Sequence, residues 1–196
     1  IDAVISDNRF GLWTKTVPCV YITHQLNLHS PNFALTILGQ KVHYSFINRY
    51  TECWVPDYEE NGIAGKLSHP IHPPKTPLKY IGPLSRLKKK KSKKELDIFV
   101  ALSGPEPQRT IFEKILAPQI KKSGLKSVFV RGLPSEIKTS YTDNDHFKMY
   151  NHLPSAQFNE MMQKAEMVIC RSGYSSVMDL IVLGQKAILV PTPGQT

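Results

Sequence analysis

Residues 167–190 read MVICRSGYSSVMDLIVLGQKAILV, and this stretch decides the fold. It opens with a short apolar run, 167–170, of the length and character of a buried strand. The chain then breaks at the small residues that follow, and apolar residues recur at helical spacing until Gly184, a residue type that ends helices. A second apolar run, 187–190, closes the stretch. The pattern predicts a strand, a small-residue turn, a helix and a strand.

The start of the predicted helix is suited to bind an anion. The first turn of a helix has unpaired backbone N–H groups and about half a positive charge. Asp179 lies two turns further on, where it could accept hydrogen bonds from ribose hydroxyls. From spacing alone, an ordinary helix cap with a solvated Asp179 fits equally well. The residues that would contact a phosphate are Arg171, Ser172, Gly173, Ser175 and Ser176.

The second half of the chain alternates strand and helix patterns. From Asp97 onward their order is β-α-β-β-α-β-α-β, which predicts a mostly parallel, doubly wound α/β sheet. Pro118 is expected to kink the first helix or to stop it early. The expected strands are 98–102, 127–131, 148–153, 167–170 and 187–190, and the expected helices are 106–122, 154–165 and the one that ends at Gly184.

A second loop in this half is expected to meet the first. Ser103 and Gly104 follow a predicted strand, as do residues 171–176, and open α/β sheets bind ligands beyond the carboxyl ends of their strands. Gln108 and Arg109 fall in the first turn of the helix after Ser103, so they could reach a diphosphate there. The alternative is that Arg109 is a surface helix residue.

The first half of the chain is also predicted to be α/β. We expect strands at 3–5, 17–23, 52–55 and 79–81, with a helix that starts at Ser30-Pro31-Asn32 and ends near Tyr50. His24 follows the second strand, where a histidine can act as a base or a hydrogen-bond donor, although a structural role is the alternative. His69 and His72 have no cysteine or acid to support them, so we expect no metal site there.

The net charge of +9 is concentrated in one segment. Residues 86–95, RLKKKKSKKE, contribute +6 of it and contain no aromatic residue, whereas surfaces that bind nucleic acid usually combine basic and aromatic residues. The segment is interpreted as a linker between a domain at 1–85 and a domain at 96–196. Attraction to an anionic membrane is the functional alternative.

Other features limit the class of protein. No apolar segment reaches the ~18 residues of a membrane span, and no signal peptide is recognisable. Cys19, Cys53 and Cys170 are far apart and lie in or beside apolar runs, which predicts buried thiols in a reducing compartment. The chain begins within a strand pattern and stops within a loop pattern, so we expect an internal portion of a longer protein.

Two motifs in the second half resemble a known family. The runs LSGPEPQRT and CRSGYSSVMDLIVLGQKAILVPTPGQT are similar to the nucleotide-sugar-binding region of glycosyltransferase family 28, the inverting enzymes related to MurG, and especially to a bacterial branch of it. VPCVYITHQLN resembles, more loosely, the family's VPVVLHEQN on the acceptor side. The resemblance implies the GT-B architecture, two Rossmann-like doubly wound domains facing a cleft, with both domains incomplete here.

The resemblance also implies an activity and roles for residues. A hexose, N-acetylglucosamine or a similar sugar, would pass from a UDP-sugar to an unidentified acceptor with inversion. Asp179 would hold the ribose, where the family usually has Glu, and His24 would face the reaction centre. Gln25 replaces the acid of HEQN, so a base role does not carry over to it. The donor-binding residues would be Ser103, Gly104, Gln108, Arg109, Arg171, Ser172, Gly173, Tyr174, Ser175, Ser176, Asp179, Gly194 and Gln195.

Partners and location follow from the same resemblance. The UDP-sugar is a substrate, and neither a cofactor nor a metal is expected, because amides, the helix dipole and arginines would stabilise the leaving diphosphate. The acceptor would be a lipid-linked or cell-envelope glycan precursor, and the protein would be cytoplasmic, with peripheral membrane contact through residues 86–94. Two alternatives remain, a UDP-sugar 2-epimerase of the same fold and a non-catalytic basic binding module.

Overall fold

A computed structural model of the chain describes residues 1–134, 140–144 and 146–192. The chain divides after Leu84 into two compact units, here called the N-terminal unit and the C-terminal unit. Residues 86–95, for which we predicted a linker, group with the C-terminal unit. Both units contain parallel sheets, which confirms the predicted α/β class.

The N-terminal unit is built on a four-stranded parallel sheet in the order β1-β2-β3-β4. A short 3-10 helix, Gly65–Leu67, lies in the loop between β3 and β4. The core of the N-terminal unit is formed by inward-facing residues such as Tyr21, Cys53 and Val55, which are fully buried. The elements are β1 Val4–Asp7, β2 Cys19–Ile22, α1 Phe33–Ile47, β3 Glu52–Val55 and β4 Leu78–Tyr80.

Helix α1 starts where its capping residue predicts. The side chain of Asn32 accepts hydrogen bonds from the amides of Ala34 and Leu35, at 3.0 and 3.3 Å, and so satisfies two donors of the first turn. The apolar residues that recur at helical spacing and indicated the helix are only partly on its buried face; they are Leu35, Leu38, Val42, Phe46 and Ile47. Leu35 and Leu38 are 59% and 60% exposed, whereas the fully buried position is Ile47. Spacing therefore predicted the helix but not its packing.

The long loop after β3 is organised around one buried carboxylate, Asp57, which is fully buried. Its oxygens accept hydrogen bonds from the amides of Tyr58, Ile63 and Ala64 and, at 2.6 Å, from the hydroxyl of Ser68. Burial disfavours the charged form, but these four hydrogen bonds outweigh it and lower the pKa of Asp57. The loop is thereby tied to the end of the strand.

Gly62 allows this loop to close. A Cβ atom placed on Gly62 would lie 2.0 Å from Cε1 of His69 and 2.9 Å from the Oδ2 atom of Asp57, so any side chain would displace both. The ring nitrogens of His69 form hydrogen bonds within the same loop, Nδ1 with the hydroxyl of Ser68 at 2.8 Å and Nε2 with the carbonyl of Glu59 at 3.0 Å. His69 therefore has a structural role.

The C-terminal unit is built on a six-stranded sheet in the order β10-β9-β5-β6-β8-β7, parallel except for the pair β7–β8. All four residues of β6 are buried, as expected for a parallel strand covered on both faces. Its elements are β5 Leu96–Ala101, α2 Gln108–Ser123, β6 Ser127–Val130, β7 Ser140–Asn144, β8 Phe147–Tyr150, α3 Ser155–Lys164, β9 Ala165–Arg171, α4 Tyr174–Leu183 and β10 Ala187–Val190.

In this unit one of the two outcomes expected of Pro118 does not occur, and one strand was not predicted. Pro118 does not end α2, which continues to Ser123 and stops at Gly124, a left-handed residue with φ 68°. Ile120 beyond the proline is buried in the core, and this packing holds the last turn. Strand β7 was not predicted, because SYTDN has no apolar alternation and the strand exists through backbone pairing with β8.

The three cysteines are free and buried, as predicted. Burial raises the pKa of the Cys53 thiol to about 12. Burial also raises the pKa of Cys170 to about 11, and the negative charge of Asp179 adds to the shift. At neutral pH the Cys53 and Cys170 thiols are therefore protonated and act as small apolar core groups.

The stability of the N-terminal unit is expected to fall in mild acid. His43 is 8% exposed, burial lowers its pKa below 6.5, and its Nε2 atom has no hydrogen-bond partner among the residues that the structure describes. The unfolded chain takes up a proton near pH 6.5 that the folded state resists, so stability is lost as the pH falls below that value. The melting temperature should therefore drop between pH 7.5 and 5.5.

The melting temperature of a His43→Phe variant should fall less than that of the parent between the same two pH values. Each kcal/mol of proton-linked destabilisation that the substitution removes should reduce this fall by ~4–8 °C. Part of the drop should remain, because the pKa of His24 is also lowered by burial. His72 is exposed, so a His72→Phe variant is the control and should behave like the parent. An equal drop in the His43→Phe protein and the parent would contradict the prediction.

Candidate functional site

The predicted strand-turn-helix-strand is present, and the start of its helix is open. Strand β9 ends at Arg171, and α4 begins at Tyr174 with Gly173 as its N-cap. Among the described residues no side chain caps this helix, and its first turn contains no acidic residue. Ser172 and Ser175 are exposed, and a Cβ atom on Gly173 would meet nothing within 4 Å. The positive end of the helix dipole is therefore accessible to an anion.

The two loops predicted to meet follow neighbouring strands. Strands β5 and β9 pair in parallel, with Ala101 opposite Cys170, so the loop at Ser103 and the loop at Ser172 leave the same edge of the sheet side by side. Gly104 has φ 106°, a conformation that side chains other than glycine rarely adopt. Ser103 and Gly104 are both exposed. Two polar loops thus border one edge at the open helix start.

Arg171 holds these loops together. Its side chain is buried and donates hydrogen bonds to the carbonyl oxygens of Pro191 at 2.7 Å and Gln108 at 3.1 Å. The guanidinium carbon also lies 4.3 Å from the centre of the Phe112 ring. These contacts connect the end of β9, the segment after β10 and the start of α2. They favour a positioning role for Arg171, and direct phosphate contact stays a prediction.

Arg109 belongs to an ion-pair network that the sequence did not reveal. It is buried and contacts Glu113 at 2.7 Å and Glu106, while Glu113 also contacts Arg131 at 2.8 Å. Burial opposes the charge of Arg109, but the two carboxylates outweigh it and raise its pKa. Gln108 contributes its backbone carbonyl to Arg171. These contacts brace the start of α2, and a contact of Gln108 or Arg109 with diphosphate stays a prediction.

Asp179 has one partner that sequence reasoning missed. The hydroxyl of Ser85 donates a hydrogen bond to its Oδ1 atom and accepts one from the amide of Leu87 at 2.9 Å. The two residues are 94 positions apart, so no local signal could have paired them. Asp179 is partly exposed on α4, along the helix from the open start. The role of Asp179 on a ribose stays a prediction.

The remaining predicted donor residues are placed only in part. Tyr174 and Ser176 are in the first turn of α4 and are half-buried. Gly194 and Gln195 lie outside the described residues. The segment that leads to them starts at Pro191, whose carbonyl is bound by Arg171.

His24 lies at the carboxyl edge of the sheet in the N-terminal unit, shortly after β2. Burial lowers its pKa, and the nearby negative charges of Asp7 and Asp57 oppose that shift. Asp7 ends β1 and Asp57 follows β3, the two strands that flank β2, so parallel pairing brings the three residues to one edge. Sequence reasoning missed both acids, although strand ends followed by an acid were a usable signal. A neutral His24 at neutral pH can accept a proton.

The described residues contain no group of three or more His, Cys, Asp or Glu side chains that could hold a metal ion. The sequence has one Asp-x-Asp spacing, Asp143 to Asp145, but Asp145 lies outside the described residues. Within the same described ranges, no helix is both long enough and apolar enough to cross a bilayer.

Comparison with known proteins connects the C-terminal unit to a family. Residues 121–196 match the glycosyltransferase family 28 C-terminal domain. The match includes the open start of α4 and Asp179, but neither Ser103 nor His24. No curated protein matches the chain. Residues 121–196, less than half of the chain, are therefore similar to the C-terminal domain of glycosyltransferase family 28.

Proposed function

We propose that the protein transfers a hexose, N-acetylglucosamine or a similar sugar, from a UDP-sugar to an acceptor with inversion. The observation that carries the proposal is the uncapped start of α4 within a region that matches the family 28 C-terminal domain. We propose a lipid-linked or cell-envelope glycan precursor as the acceptor, in the cytoplasm of a bacterium. The UDP-sugar is a substrate in this scheme, and no cofactor is required.

In the proposed reaction, the diphosphate lies on the amides at the start of α4. These donors and the helix dipole stabilise the negative charge that develops on UDP as the glycosidic bond breaks. The hydroxyls of Ser103, Ser175 and Ser176 add hydrogen bonds, and Asp179 accepts hydrogen bonds from the ribose. His24 takes the proton of the acceptor hydroxyl, a role that a neutral imidazole can fill.

A negative charge at the helix start tests the diphosphate assignment. Glutamate in place of Ser175 should lower the affinity for UDP about tenfold or more, because it repels the phosphates at close range. The same change should leave the melting temperature unchanged or raise it, since an acid in the first turn of a helix contributes ~0.3–1 kcal/mol. Calorimetric titration with UDP and thermal unfolding measure the two effects.

The matched control is Ser155→Glu, at the exposed first position of α3 in the same unit. It adds the same charge to another helix start and should leave UDP binding unchanged. If Ser175→Glu binds UDP as tightly as Ser155→Glu does, the diphosphate does not lie on α4 and the proposed function loses its main support.

A further inference from the structure

A row of exposed lysines runs along the C-terminal unit. Residues 88–93, here called the lysine strip, contain Lys88, Lys89, Lys90, Lys91 and Lys93, all of them exposed. Among the residues that the structure describes, none of these five forms a salt bridge. Glu160, an acid beside the strip, is already paired with Lys164 at 2.8 Å. Lys164 lowers the pKa of Glu160, and the positive charge of Lys90 adds a smaller effect in the same direction. The strip is therefore a concentrated, largely uncompensated positive charge.

The backbone of the strip is held in place, although a free run of lysines would repel itself and move in water. Leu87, immediately before it, is buried in the core. Gln163 of α3 is 4% exposed, and its amide group accepts from the Lys90 N–H at 2.6 Å and donates to the Lys88 carbonyl at 3.1 Å. Asn159 donates to the same carbonyl at 3.0 Å. Uncharged amides thus fix the chain while the ammonium groups remain exposed.

The far end of the strip is fixed as well. The hydroxyl of Ser92 donates to the carbonyl of Gln163 at 3.1 Å. The ammonium of Lys94 donates to the carbonyl of Ala165 at 2.6 Å and to the side-chain oxygen of Gln185 at 2.8 Å. Lys94 is therefore used as an anchor, unlike the five strip lysines. Much of the entropy cost of ordering this segment is already met in the free protein.

Shallow depressions lie on both sides of the strip, with volumes of about 550 and 350 Å³. Both are lined by strip lysines and Gln163, and one also by Gly184 at the end of α4. Their walls offer ammonium and amide donors, and the smaller one also includes Glu160, the acid that is paired with Lys164. This chemistry suits phosphate groups presented side by side.

We propose that the lysine strip docks the protein on an anionic phospholipid surface. Lysine is a compact, hydrated point charge, which suits phosphate headgroups without selecting one geometry. Each basic residue near such a surface contributes ~1 kcal/mol, so several lysines on a fixed backbone give useful affinity. The strip contains no aromatic residue to stack on bases, which argues against nucleic acid. The choice of a membrane rests on the proposed function, because a lipid-linked acceptor is found there.

Vesicle sedimentation tests this proposal without using the sugar donor. The whole chain is mixed with vesicles of phosphatidylcholine, alone or with phosphatidylserine, and the bound fraction is measured. The parent should bind only the vesicles that contain phosphatidylserine. A Lys89→Gln, Lys90→Gln, Lys91→Gln triple variant should bind about a hundredfold more weakly, from ~1 kcal/mol for each lysine. The matched control changes Lys121, Lys122 and Lys126 to glutamine in the same unit and should bind like the parent.

A Gln163→Ala variant tests the fixed backbone separately, since it keeps every lysine. It should bind these vesicles several-fold more weakly, and circular dichroism should show that it remains folded. Equal binding by the parent and the triple variant would overturn the proposal, as would an equal loss in the control. Tighter binding of the parent to a single-stranded RNA than to the vesicles would assign the strip to nucleic acid instead. The triple variant should still bind UDP, so failure here is distinguishable from failure of the proposed function.

Discussion

UDP is expected to bind roughly ten to a hundred times more weakly to an Asp179→Ala protein than to the parent. Hydrogen bonds to charged groups contribute ~1.5–3 kcal/mol, and the variant would lose those between the carboxylate and the ribose hydroxyls. Calorimetric titration measures the loss. Titration with 2′-deoxy-UDP makes the test specific. The parent should bind the deoxy compound less tightly than UDP, whereas the variant should show little or no preference.

Ser85 provides the control for this prediction, because its hydroxyl is the observed partner of Asp179. A Ser85→Ala protein keeps the carboxylate and should bind UDP nearly as well as the parent. If Ser85→Ala loses as much affinity as Asp179→Ala, then Asp179 acts by holding Ser85 and not by contacting the ribose. Unchanged affinity in Asp179→Ala would remove Asp179 from the donor site.

An Asp57→Ala change should lower the free energy of unfolding of the N-terminal unit by about 3 kcal/mol or more. The change would strand a hydroxyl and three backbone amides that now donate to Asp57, and each stranded buried donor costs ~1–3 kcal/mol. Urea unfolding followed by tryptophan fluorescence measures this loss. Both tryptophans, Trp13 and Trp54, are in the N-terminal unit, so their signal reports on that unit alone.

Two further variants make the Asp57 experiment decisive. Glu60 is an exposed acid of the same loop, and Glu60→Ala should change stability by less than ~0.5 kcal/mol. Asp57→Asn keeps the shape but not the charge. The folded-state pKa of Asp57 lies below the ordinary 3.8, so its contribution is present above pH 3.8 and is lost as the pH falls through the lower value. The stability difference between parent and Asp57→Asn should therefore shrink only in strong acid. A constant difference would show that the carboxylate charge is unimportant.

Local sequence signals predicted most elements of the fold. Strand β3 and strand β10 begin and end at the predicted residues, and α4 ends at Leu183, just before Gly184, which has the left-handed conformation expected of that position. A helix start was predicted at Ser30-Pro31-Asn32, and Asn32 is the N-cap of α1. These signals are local because a cap or a stop acts on its own turn of backbone.

The packing of side chains was less predictable. Leu35 and Leu38 follow the spacing of a buried face but are exposed, because the neighbours of α1 decide which face is covered. Pro118 was expected to kink α2 or to stop it early, yet α2 continues past it to Ser123 because Ile120 packs in the core. Propensity is a weak prior that tertiary contacts override.

The candidate site likewise has parts that local patterns predicted and parts that they did not. The sequence by itself determined that a strand, a small-residue turn and a helix follow one another between residues 165 and 183, because each of these depends on nearby residues. Only the tertiary structure decided that Arg171 and Arg109 are buried braces and that Asp179 meets Ser85. The partners of Arg171 and Asp179 come from distant parts of the chain, and such pairing depends on how strands and helices pack, which no local pattern encodes. Arg109 pairs with the nearby Glu106 and Glu113, but its burial likewise depends on packing.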